Sequence, residues 1–361
     1  MRRILFITRK WEPAIGGMET YCLRLTECLA KQADIDVISL SGQKDGSPPS
    51  LVKLFGFPLA VLIQWLQLRK TPDVVHLGDM AIWPLALLRM LLAPHAATVI
   101  SAHGTDISYS ARGGVKGTLY GLYQKAGARL LSNANVIANS QATANACRNH
   151  GWSNVSVVAL ATDVTASPAQ NASKTTILFA GRMIERKGLR WFIENVLPSL
   201  PDSFNVEIAG VVTDPSEARA LEHPRVHFLG GLDQKTLSER YSAALCVIVP
   251  NIDLPNGEFE GFGLVACEAA ACGGLVLAAA TGGLTSAVKN GETGFLLPAG
   301  NASAWAKRIS QVSAWSDEER QSFLIQARAK AIAYYNWDRV TRETIEAYPQ
   351  TGRHASRKTS L

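Results

Sequence analysis

The chain has no C-x-x-C pair and no ladder of histidines and cysteines at metal-ligand spacing; its six cysteines (Cys22, Cys28, Cys147, Cys246, Cys267, Cys272) are scattered. That excludes a disulfide framework and a zinc site, and it suits reduced, buried thiols in a cytosolic protein. Neither half has a G-x-G-x-x-G after its first apolar run: the stretches there read "EPAIGGMETY" and "FAGRMIERKGL". This argues against NAD or FAD. Charged residues make up only 18% of the chain against 47% hydrophobic, so wholesale disorder is ruled out. "MRRILFITRK" has too short an apolar run for a signal peptide and reads as a first buried strand. The most apolar stretch, Leu51–Leu68, is marginal for a membrane span, contains Pro58 and has Lys53 near one end. A core helix and an in-plane membrane-docking helix account for it equally well.

What is present points to two α/β domains, since 361 residues exceed one ordinary core. Short apolar runs alternate with helical patterns: "RILFIT", "IDVISL", "DVVHLG", "ATVISAHG", "ANVIANS" and "VSVVAL", then "TTILFAGR", "NVEIAG", "RVHFLGG", "ALCVIVP", "GLVLAAA" and "GFLLPAG". Such runs separated by helices predict two doubly wound parallel sheets in tandem. We expect a first domain over 1–164, a linker over 165–174, a second domain over 175–345 and a polar, basic tail over 346–361. The net charge of +6 lies wholly in the first half, where 16 Lys and Arg up to Thr165 face 10 Asp and Glu. A basic half suits an anionic partner such as a lipid surface or a lipid diphosphate; no nucleic-acid-binding signature accompanies it, so none is expected.

Four constellations carry chemistry. "EGFGLVACEAAAC" reads as a turn feeding a helix from about Phe262 to Ala271, with Glu260 before its start and Glu268 two turns in. On a continuous helix the two would stand roughly 12 Å apart along the axis. Free N–H groups of Phe262, Gly263 and Leu264 would suit a phosphate, and the carboxylates would suit sugar hydroxyls. Glu260 alone would more often be a helix cap, but Glu268 on so apolar a helix needs a partner. In "FAGRMIERKGL", Arg182 and Lys187 after a buried strand can neutralise a diphosphate without a metal, although an isolated "ERKG" would more often be a solvated turn. "SAHGTDI" places His103 and Asp106 after a strand, and Gly16-Gly17 would let backbone approach a ligand. The D-x-D pair Asp34 and Asp36 reads as a strand edge, and no metal site is expected.

These motifs, together with "TGGLTSAV" and "NGETGFLL", resemble in kind and order the retaining glycosyltransferases of family 4, also called glycosyl transferases group 1, from about Ile4 to about Trp337. The resemblance implies the GT-B fold: two Rossmann-like doubly wound domains facing a central cleft. By carry-over Arg182 and Lys187 hold a diphosphate, Glu268 the ribose, and Glu260 the sugar hydroxyls with the amides of Phe262, Gly263 and Leu264. His103 would contact the donor sugar and Gly17 the phosphate end, with Gly16, Gly181, Gly210, Leu229 and Gly261 lining the donor site and Thr281 closing its far side. The implied reaction is metal-independent transfer of a hexose, with retention, from a nucleoside diphosphate sugar, which is a substrate; no cofactor is expected. The acceptor would be a lipid-linked glycan or polysaccharide of the cell surface, as in lipopolysaccharide or exopolysaccharide assembly. The protein would be cytoplasmic and peripheral at the inner face of the membrane, with an anionic membrane surface as a partner. A silent partner of another transferase, or a nucleotide-sugar hydrolase or epimerase, are the alternatives. One departure is "VALATDV", which keeps only Asp163 of the family's P-N-G-[VI]-D stretch.

Overall fold

A computed structural model of the protein describes residues 2–14, 16–43, 46–166 and 172–349. The chain forms two compact units, one holding the residues up to Leu160 together with those from Trp337, the other Ala161–Asn336.

The first unit is built on six parallel strands: β1 (Arg3–Trp11), β2 (Asp34–Ser41), β3 (Val74–Leu77), β4 (Ala97–Ala102), β5 (Asn135–Ala138) and β6 (Asn154–Val157), ordered β2-β1-β3-β4-β5-β6. β3 is buried at every residue whereas β2 and β6, at the edges, are largely exposed. That is the burial expected of a parallel sheet covered on both faces. Asp34 opens the edge strand β2, as the D-x-D reading anticipated. The Leu51–Leu66 helix packs Phe57, Val61 and Trp65 into a core shared with Leu5, Ile7, Val75 and Leu77. Among the described residues no helix is long and apolar enough to cross a membrane.

The second unit has β7 (Thr176–Ala180), β8 (Asn205–Ala209), β9 (Val226–Gly230), β10 (Cys246–Val249), β11 (Val276–Ala279) and β12 (Phe295–Leu297), ordered β12-β11-β10-β7-β8-β9 and all parallel. The chain runs outward from β7 to β9, then returns to the other side of β7 to begin β10. The strand order therefore reverses between β7 and β10, which in open α/β sheets marks the ligand crevice beyond the carboxyl ends.

The domain limits differ from expectation at the C-terminal side. The Trp337–Ala347 helix does not close the second unit but returns to the first, against the Gly17–Ala30 helix and β5. Arg339 donates to the carbonyls of Ala159 and Leu160, and Asn135 donates to that of Ala347. Of the expected linker only residues 165–166 and 172–174 are described, and most of the expected tail, 350–361, lies outside the described residues.

Candidate functional site

The loops that leave β7 and β10 at the switch point are stitched together. The Ile252 N–H donates to the Arg186 carbonyl at 3.2 Å. Gly188, at φ +67°, ends the Glu185–Lys187 turn, and a Cβ there would stand 2.1 Å from the Pro250 carbonyl oxygen. Only glycine permits that approach.

Into this junction projects Glu260. One of its carboxylate oxygens accepts from Arg186 at 2.5 Å, from Lys187 at 2.7 Å and from the Asn251 amide at 3.4 Å. Burial alone would raise this carboxyl; the Lys187 and Arg186 charges and their hydrogen bonds outweigh it and hold the group down at about 2. Glu268 is half-buried on the Leu264–Ala271 helix and accepts from the Tyr241 hydroxyl at 3.3 Å. Burial pushes Glu268 above the usual carboxylate range, with Tyr241 and the Lys187 charge pulling the other way. Lys187 thus acts on both glutamates.

The helix begins two residues later than the sequence pattern predicts. Gly263 precedes it in the left-handed region, φ +101°, so Glu260 to Gly263 form a loop and the two glutamates do not share one helix. Glu260 is not a cap. The free amides of the first turn begin at Leu264, and those of Phe262 and Gly263 belong to the preceding loop; the Phe262 side chain is buried. That loop is braced by "TGGL": the Gly283 N–H donates to the Glu260 carbonyl at 2.7 Å, and a Cβ on Gly283 would lie 2.1 Å from the Gly261 carbonyl oxygen. Thr281 does not reach the glutamates; its hydroxyl donates to Asp253. Arg182 is exposed and has no ion-pair or hydrogen-bond partner among the described residues, whereas Arg186 is buried. Gly181 and Gly210 meet backbone to backbone, since a Cβ on Gly210 would fall 1.8 Å from the Gly181 carbonyl oxygen. The Gly210 N–H is spent on the Gly230 carbonyl, beside Leu229 in β9.

In the first unit, Gly16 caps the Gly17–Ala30 helix without a side chain, and Lys10 pairs with Glu19 in its first turn. His103 is buried; its Nε2 lies 2.9 Å from the Gly78 carbonyl oxygen, so that nitrogen carries a proton and donates it there. Asp106 is not a ligand-facing group. It is buried and accepts the backbone N–H groups of His103 and Met80.

Two family models match, one per unit: "Glycosyltransferase Family 4" over residues 15–165 and "Glycosyl transferases group 1" over 174–314. The chain belongs to this glycosyltransferase family. A D-inositol 3-phosphate glycosyltransferase of Kribbella flavida is 31% identical over 47% of this chain but only 38% of its own length. An uncharacterized glycosyltransferase of Methanocaldococcus jannaschii is 28% identical over 48% and 44%. The matched part of this chain thus spans less than half the length of these curated relatives. Among solved structures, a sucrose-phosphate synthase of Thermosynechococcus elongatus superposes with a TM-score of 0.71 at 22% identity, covering 96% of this chain and 98% of that one. Anabaena HepE in complex with UDP and glucose superposes at 0.70 with 20% identity, covering 96% and 99%. The lipopolysaccharide outer core galactosyltransferase WaaB superposes at 0.69 with 17% identity, covering 96% and 98%. These likenesses establish the fold, which is GT-B.

Three side chains of the site escape a reading of motifs alone: Arg186, Asn251 and Tyr241. Tyr241 had a signal, because a carboxylate on the helix of Glu268 requires a donor nearby. Arg186 and Asn251 had none, since only the folding of two loops together brings them to Glu260.

Proposed function

We propose that the chain is a retaining hexosyltransferase that takes a nucleoside diphosphate sugar and glycosylates a lipid-linked or polysaccharide acceptor in cell-surface glycan assembly, at the cytoplasmic face of the membrane. The observation that carries the donor reading is the Arg186–Glu260–Lys187 cluster at the strand-order switch of the second unit, with Glu268 within the field of the same lysine. Lys187 is the movable member of the cluster. When a diphosphate arrives, its ammonium turns from Glu260 to the phosphate, joined by the uncommitted Arg182, while Arg186 keeps Glu260 ionised. Glu260 then accepts from sugar hydroxyls and Glu268 from ribose hydroxyls. His103 is kept as a donor-sugar contact by family likeness alone. The bond from the anomeric carbon to phosphate oxygen breaks as the bond to the acceptor oxygen forms on the same face, and the acceptor proton passes to the departing phosphate oxygen. The positive charge of Lys187 and Arg182 set against the negative leaving diphosphate is the main stabilisation, and on this reading it needs no metal. Complexes of HepE with UDP and glucose, and the naming of WaaB as a lipopolysaccharide galactosyltransferase, support the donor and acceptor classes.

The test is thermal unfolding against UDP, GDP and ADP, with and without chelator. One nucleotide should stabilise the protein by about 2.7 kcal/mol at a hundredfold excess over its Kd. The shift should survive chelator and vanish in Glu268→Ala, while Lys187→Ala should chiefly lower turnover. No shift with any nucleotide would sink the donor reading.

A further inference from the structure

The first unit carries a face that this reaction does not use. In the β2–β3 connection, the Leu51–Leu66 helix turns Phe57, Val61 and Trp65 inward, and on its opposite side Val52, Phe55, Leu59, Ile63 and Leu66 are 49–85% exposed. Their spacing of three and four residues makes a continuous stripe. The Gly114–Leu130 helix, between β4 and β5, repeats the pattern: Gly117, Gln124 and Gly127 face inward, while Val115, Leu119 and Leu122 are 57–76% exposed. Between them the short Arg89–Leu92 helix exposes Met90 and Leu91. All three connections step the same way across the sheet, so right-handed crossovers put them on one face. One core joins them: Phe57 and Trp65 share it with Trp83 and Ala128, and the Trp83 ring lies 5.0 Å from that of Tyr123.

The charge on this layer is one-sided. Residues 46–162 hold nine Lys and Arg and only three acids, Asp73, Asp79 and Asp106. None of the three is an exposed counter-charge. Asp79 is buried against Arg9, Asp106 is buried on backbone N–H groups, and Asp73 accepts the Arg3 N–H. Lys53, Lys116, Lys125 and Arg129 stand exposed on or beside the apolar stripes.

We propose that these three segments form a docking surface for an anionic lipid bilayer, with both long helices lying in the plane of the interface. Leucine, valine and phenylalanine enter the acyl boundary, and the lysines and arginines meet acidic headgroups; stable attachment needs both signals. A second copy would bring the same positive charge against itself, and a nucleic acid would leave the aliphatic stripes uncovered. The inference deepens the reading of a lipid-linked acceptor and rests on it for its purpose, though the surface itself is an observation on the first unit.

The experiment is flotation of the full chain with phosphatidylcholine vesicles, with and without phosphatidylglycerol, at low and high salt. The protein should float with the anionic vesicles, less so in salt, and not with phosphatidylcholine alone. Lys116→Gln with Lys125→Gln should lower partitioning about thirtyfold, from roughly 1 kcal/mol per cation near the surface. Phe55→Ser with Leu119→Ser should lower it at least about tenfold. Both variants should keep the wild-type melting temperature and its nucleotide-dependent shift. Flotation equal on neutral and anionic vesicles, or unchanged in both variants, overturns the proposal. So does a lipid-free dimer that the Phe55→Ser, Leu119→Ser variant dissolves. Failure of the transferase reading is separable: it would appear as a missing nucleotide shift with vesicle binding intact.

Discussion

Glu260 is nearly enclosed, and a carboxylate in that position is tolerable only while its cations stay. On the proposed donor reading Lys187 leaves for a diphosphate, and the constant partner is then Arg186, whose guanidinium is buried and bonded at 2.5 Å. On that reading Arg186 is a positioning residue. Removing one partner of a buried pair typically costs about 3–5 kcal/mol; with Lys187 remaining, Arg186→Gln should cost on the order of 1–3 kcal/mol. It should also move a titration. Without Arg186, burial reasserts itself and the Glu260 carboxyl rises from about 2, so the acid limb of kcat should shift to higher pH, with Arg186→Lys restoring most of the wild-type profile. An unchanged acid limb would leave Arg186 a merely structural contact. The sequence singles out Arg182 and Lys187 by motif and treats Arg186 as part of a solvated turn. Neighbours in sequence diverge here because a three-residue turn sends Lys187 and Arg186 to one carboxylate and leaves Arg182, before it, in solvent.

The elements of both sheets were readable as twelve short apolar runs, because a parallel strand covered on both faces has no polar side to confuse its pattern. Less readable was the element that presents Glu260. A helix was expected from Phe262, and Gly263 in the left-handed region instead delays it, which puts the glutamate on a loop held from outside. The holding is done by glycine: Gly283 lies so close to Gly261 and Phe262 that its missing Cβ would be 2.1–2.6 Å from their backbone atoms. Gly283→Ala must therefore push the Glu260 loop away, since φ at Gly283 is an ordinary −71° and only space is at issue. We expect a loss of about 1–3 kcal/mol in stability, as for other overpacked sites, with a larger proportional loss of turnover than of nucleotide affinity. Gly231→Ala, where nothing lies within 4 Å, is the control and should change neither. Equal behaviour of the two variants in thermal unfolding and steady-state assays would remove the bracing role. The apolar Leu51–Leu66 helix taught the converse lesson. Its composition is nearly uniform around the axis, so which side is core and which is exposed was written only in the packing of Phe57, Val61 and Trp65.

At the scale of the whole chain, the return of the Trp337–Ala347 helix to the first unit could not be read from pattern, because an amphipathic helix shows that it has a buried face but not what buries it. What receives it is a row of buried polar groups. Just past that helix, the Tyr348 hydroxyl lies 2.9 Å from His76 Nδ1, His76 Nε2 lies 2.8 Å from the Ser101 hydroxyl, and Ser101 meets Tyr21 at 2.9 Å. Burial, with a smaller contribution from His103, pulls His76 down to about 3, so the folded protein keeps it neutral while the unfolded chain takes up a proton near pH 6.5. A depressed folded pKa means stability that is fully present above the unfolded value and lost as pH falls below it. Between pH 7.5 and 5.5 this one histidine should withdraw about 1.4 kcal/mol. The measurement is denaturant unfolding of the wild type and His76→Asn at the two pH values. The wild type should lose more stability on acidification than the variant by about that amount, whatever the variant's own starting point. Tyr348→Phe, which removes one hydrogen bond worth about 1 kcal/mol but leaves the histidine buried, should be less stable at both pH values with the wild-type slope. If His76→Asn keeps the full acid sensitivity, the chain's C-terminal return is held by packing of Trp337, Val340 and Tyr348 alone, and the pH dependence belongs to other groups.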